Sequence, residues 1–96
     1  MKIAKVVGVA ISTVKEPRLE DSKLLLVNDA DQTGKLIGSP YIAKDVVGVG
    51  PDELVMVVQG SSARVAAWDD NEPVDAVIVG ILDSLQFEGE TTFKKH

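Results

Sequence analysis

Val74-Asp75-Ala76-Val77-Ile78-Val79-Gly80-Ile81-Leu82-Asp83-Ser84-Leu85 decides the fold. Val and Ile suit a pleated surface, because their branched side chains are stiff and pack well across a sheet. The stretch therefore reads as a strand. With period two, both of its faces are apolar from Ala76 to Leu82. A strand of that kind needs cover on both sides.

Outward from this strand, Leu54 to Gln59 (LVMVVQ) has the same character, and so does Ile3 to Val14. In the latter, Ile3, Val7, Val9 and Ile11 form a bulky face, and Ala4, Val6, Gly8 and Ala10 a smaller one. Lys23 to Asn28 and Tyr41 to Val47 complete five strands. Turn chemistry separates them at Asp29–Gly34, Gly38-Ser39-Pro40 and Gly48–Asp52. Lys15 to Ser22 is charged, holds Pro17 and reads as a loop. Ser61 to Trp68, with three Ala behind an N-terminal Ser, reads as the one short helix. The expected fold is all-β: a small five-stranded OB-like barrel over residues 1–85, with a helix between strands four and five. Residues 86–96 are polar apart from Phe87 and Phe93 and read as a C-terminal tail.

One eight-residue helix cannot cover three two-faced strands. Pattern alone therefore favours an oligomer whose neighbours supply the cover, without fixing the number of subunits.

Composition narrows the function. With 96 residues, the chain holds one domain. Lys and Arg total 10 against 15 Asp and Glu, a net charge of -5, which disfavours nucleic acid or an anionic membrane as the main partner. The uncharged run Val6 to Val14 is too short for a spanning helix. It is followed by Lys15-Glu16-Pro17-Arg18 rather than a cleavage site, so a signal peptide is rejected and the cytoplasm is the expected location. There is no Cys, and the sole His is His96, so thiolate metal sites, disulfides and His acid–base chemistry find no residues.

The remaining motifs read as structure. Asp29-x-Asp31-x-Thr33-Gly34 begins like a calcium loop, but Pro40 stands where a bidentate Glu belongs, so a β-turn is expected. Gly48-x-Gly50 lacks a third Gly for a phosphate cradle and reads as a turn needing positive φ. Ser61 and Ser62 have no base to activate them and read as helix caps. Asp69, Asp70 and Glu72 read as a solvated loop or partner contact rather than a metal site. No catalytic residue, metal or cofactor is expected.

Five stretches together resemble the EutN/CcmL family, the vertex proteins of bacterial microcompartment shells. They are Gly60-Ser61-Ser62-Ala63-Arg64, Pro73 to Asp83, Ala43-Lys44-Asp45-Val46-Val47-Gly48, Lys23 to Val27, and the opening Met1 to Gly8 with Thr13 and Lys15. The likeness runs in order over residues 1–85. Asp21 and Leu54 depart from it, where Gly and Trp are common, and the tail from Gln86 matches no pattern. The resemblance implies a non-enzymatic homopentamer of OB-like barrels that sits among hexameric shell proteins. Five-fold units supply the curvature that flat hexamer layers lack. It also implies that Gly60, Ser61, Ser62, Ala63 and Arg64 lie at a subunit interface or pore. Arg64 is one of only two arginines, and it falls in the first turn of the expected helix, where a cation is disfavoured. Two readings are open: a solvent-exposed Arg, or a planar fork that reaches a neighbour's carboxylate or carbonyls, with Asp45, Asp75 and Asp83 as candidate partners. Two alternatives remain: an oligomeric OB-like module binding a ligand or single-stranded nucleic acid, and an enzyme subunit with a site between protomers built on Asp45, Asp75 and Arg64.

Overall fold

The computed structural model describes residues 1–10, 23–60 and 75–95. Among the described residues seven strands form: β1 (Lys2–Val9), β2 (Leu24–Asp29), β3 (Tyr41–Asp45), β4 (Leu54–Gln59), β5 (Ala76–Ile81), β6 (Ser84–Phe87) and β7 (Glu90–Lys94). The first five close into a barrel in the order β1-β2-β3-β5-β4, with β4 returning to β1. Among the described residues only the β3–β5 pairing is parallel. Closure leaves none of the five with an open edge. The expected helix and the end of the expected first strand, Ile11 to Val14, lie outside the described residues.

The interior is filled by small and β-branched side chains, as a narrow barrel requires. Ala4, Val27, Val55, Val57 and Ile78 are the centre of this core, closed at one end by Val49. On β1 it is the smaller face, Ala4 and Val6, that points inward.

Three boundaries differ from the sequence reading. In β1 the pairing with β2 shifts between Val6 and Gly8, so Val7 is the extra residue of a bulge. Beyond it the parity flips: Gly8 pairs with Leu26 on the outer side, and Val9 pairs with the inward Leu25. Strand β3 ends at Asp45 rather than Val47, because the Asp45 carboxylate takes the N–H groups that would continue the ladder. The long fifth strand is two strands. Leu82 still donates its N–H to the Leu54 carbonyl (2.9 Å), but from Ser84 the chain leaves the barrel. It pairs with β7 in a separate two-stranded hairpin.

The hairpin, where the sequence reading left a tail, is fastened to the barrel. Thr92 Oγ1 donates to the Gln32 carbonyl (2.5 Å), and Phe93 packs over Gly34, 3.5 Å from where a β-carbon would stand. Lys95 Nζ donates to Glu53 Oε2 (2.9 Å). Leu54 is buried on the outer side of β4 and shares one cleft with Leu82 and Phe93. Part of the cover that β4 needs thus comes from this chain itself.

Candidate functional site

Asp45 organises the loop after β3. Its Oδ1 accepts the N–H groups of Val47 and Gly48, and its Oδ2 that of Val49, each at 2.9 Å. Lys23 Nζ stands 3.3 Å from Oδ2 and donates to the Val49 carbonyl (3.2 Å). Burial pushes the Asp45 carboxyl up, but the N–H groups of Gly48, Val47 and Val49, with Lys23, more than offset this and hold it below the ordinary carboxylate value. Gly48 supplies the left-handed backbone the turn requires, with φ at 92°. Val49 plugs the core, and Val46 and Val47 are left exposed on a rigid loop.

The Asp45 side chain is wholly buried, and both oxygens are engaged within its own chain. That geometry assigns it to its loop and leaves no oxygen for a neighbour's Arg64. Asp75 and Asp83 are exposed. They flank β5 at opposite ends, about 26 Å apart for an extended chain. The three aspartates therefore do not converge. Gly60, at φ 69°, donates its N–H to the Asp75 carbonyl (3.0 Å) and closes the neck of the segment between them. Ser61, Ser62, Ala63 and Arg64 lie outside the described residues, as does the acidic cluster Asp69, Asp70 and Glu72.

The turn 31–34 behaves as its residue types require. Asp31 Oδ1 accepts Thr33 N (2.8 Å), Thr33 Oγ1 (2.6 Å) and Lys35 N (3.0 Å), a self-satisfied Asx turn. Asp29 points elsewhere, accepting from Tyr41 Oη (2.7 Å) and Lys2 Nζ (3.1 Å). Burial and the Asp29 carboxylate push the Tyr41 hydroxyl well above its ordinary value, and Lys2 lies over the Tyr41 ring. Among the described residues no three His, Cys, Asp or Glu side chains gather as a metal site. No helix there is long and apolar enough to cross a membrane.

What the described surface does offer is apolar. Ile42 is 53% exposed and lies beside Leu26 and Gly8 across the outer faces of β3, β2 and β1, with the bulged Val7 next to them. The sequence reading located the uncovered faces on strands one, four and five. The structure keeps the exposure on β1 and adds β3 with its loop and the β2–β3 connection, where Leu36 and Ile37 are exposed. On β4 and β5, Leu54 and Val77 are buried within the chain. The signal in β3 was Ile42 alternating with Ala43 in a short strand, too brief to stand out beside the longer runs.

The family model described as "Ethanolamine utilisation protein EutN/carboxysome" matches residues 1–83. The carboxysome shell vertex protein CcmL of Synechococcus elongatus is 39% identical over 95 residues, covering 99% of this chain and 96% of that protein. The microcompartment shell vertex protein EutN of Escherichia coli is also 39% identical, covering 99% and 100%. Among solved structures, GrpN of Rhodospirillum rubrum, a pentameric microcompartment shell protein, superposes with a TM-score of 0.82 at 37% identity, covering 91% and 99%. The pairwise likeness runs on through the hairpin, beyond the residues the family model matches. With a closed barrel, an apolar outer face and a match over nearly its whole length, the chain belongs to the EutN/CcmL family of microcompartment shell vertex proteins, which are structural rather than enzymatic.

Proposed function

We propose that this chain assembles into a ring of five. The ring occupies the vertices of a bacterial microcompartment shell in the cytoplasm and joins hexameric shell proteins at its rim. The observation that supports this most is the likeness over almost the full chain to shell vertex proteins, together with the likeness to a solved pentameric microcompartment shell protein. The physical counterpart is the apolar outer face of β1–β3, where Ile42 and Val7 gain by burial against a neighbour. Gly60, Ser61, Ser62, Ala63 and Arg64 are placed at the subunit interface or pore, with the exposed Asp75 and Asp83 as carboxylates open to Arg64. No metal, cofactor or membrane takes part.

Two outcomes are expected. Cells lacking this protein, and lacking any second vertex protein, form open or elongated shells while the enclosed enzymes stay active in lysate. Electron microscopy reads this, and closed polyhedra of normal shape would contradict it. A single-stranded oligonucleotide probe is not shifted at low micromolar protein. Single-strand binding needs a basic groove with free stacking aromatics, and the Tyr41 ring is already held by Asp29 and Lys2. A salt-sensitive shift would instead favour the binding-module reading of the barrel.

A further inference from the structure

The hairpin carries two complementary features at its two ends. At its tip, Phe87 is 48% exposed, an unusual state for a large aromatic. The turn beside it is Glu88-Gly89, with φ at 54° and 81°. Two successive positive φ values are the type I′ pattern, which favours Asn or Asp before Gly. Glu is a poor residue for the left-handed region, and backbone strain of this kind gathers where function requires it. The tip therefore presents an exposed aromatic ring with a carboxylate held beside it at a conformational cost.

At the other end, the hairpin and the barrel enclose an open cleft of about 490 Å³. Leu54, Leu82 and Phe93 supply its apolar lining. Glu53 and Lys95 on its rim pair with each other at 2.9 Å and cancel. Asp52 and Lys94 remain, one on each side. An acidic tip is thereby directed toward the Lys94 side. The tip of the same chain cannot reach the cleft, because Leu82 and Phe87 are about 16 Å apart along an extended strand.

We propose that the cleft receives the hairpin tip of a second copy, with Phe87 against Leu82 and Phe93 and Glu88 facing Lys94. Each copy then gives one tip and accepts one, a head-to-tail contact that closes into a ring when the rotation allows. The inference rests on the ring reading above and names a contact within it.

The chain has no Cys, so cross-linking starts from a clean background. Phe87→Cys combined with Lys94→Cys tests the contact directly. Within one chain these positions lie about 13 Å apart along the hairpin, too far for a disulfide. Mild oxidation is expected to give a covalent ladder up to the full ring on a non-reducing gel, with each single variant stopping at dimers. A ring intact by light scattering that yields no ladder would overturn the contact and leave the ring standing. A wild-type monomer would overturn the ring itself. Should the double-cysteine protein fail to assemble, the charge pair decides. Lys94→Glu is expected to shift the ring-to-subunit midpoint to higher protein concentration, and adding Glu88→Lys to shift it back. No shift in Lys94→Glu would sink the proposal.

Discussion

Asp45→Ala is expected to destabilise the barrel by about 3 kcal/mol, because three backbone N–H groups and a lysine lose an ionised acceptor in a buried place. For a domain of this size that is a fall in Tm of roughly 12–24 °C. Asp45→Asn divides the effect by oxygen. The amide oxygen can keep the bonds to Val47 and Gly48, but its NH2 then faces the Val49 N–H and the Lys23 ammonium, donor against donor. Its cost therefore lies between wild type and Ala. Acid adds a second reading. The folded carboxyl titrates below its unfolded value near 3.8, so its stabilisation is fully present above that value and is lost as pH falls through the folded one. The Tm gap between wild type and Asp45→Asn should be full at pH 7 and shrink below about pH 4. Thermal melts across that range check both points. An Ala variant that melts with wild type would show that the loop does not depend on its carboxylate.

Arg64→Ala is expected to dissociate the ring while leaving each barrel folded. A buried pair across an interface costs about 2–5 kcal/mol when one partner is truncated, since the other is left unpaired. In a ring the loss recurs at every interface. Arg64→Lys restores little, because an ammonium cannot reproduce the planar fork. Asp45 is already committed to its own loop, so the parallel variants are Asp75→Asn and Asp83→Asn, and the one that pairs with Arg64 should weaken the ring similarly. Gel filtration and melting together decide. Arg64→Ala at the wild-type elution volume and Tm would make Arg64 a solvated surface residue.

The barrel was legible wherever strong punctuation bounded a β-branched run. Leu54–Gln59 forms as read, with Pro51-Asp52 before it and Gly60 after it. The bulge at Val7 was not legible, because a one-residue insertion leaves the composition of a strand unchanged while flipping every later side chain. The early end of β3 was hidden for another reason. Strand propensity favours Val46 and Val47, and only the folded structure shows Asp45 capturing the N–H groups of this loop. The hairpin did leave a signal: Glu88-Gly89 between Phe87 and Glu90, with Leu85 and Phe93 paired across it. Beside so many polar residues that pattern read as a tail. Asp45 stood out by its motif, but its burial was beyond a linear reading. The exposure on β1 was legible in its two-faced apolar run, whereas that on β3 and its loop was not.

The mass of the purified chain in solution, by light scattering after gel filtration at micromolar concentration, tests the five-fold ring most directly. The expected result is one species of about 51 kDa, five times the 10.2 kDa chain, as a closed cyclic assembly requires. A hexamer would keep the intermolecular cover and contradict the five-fold assignment, and a monodisperse 10.2 kDa monomer would contradict the ring altogether.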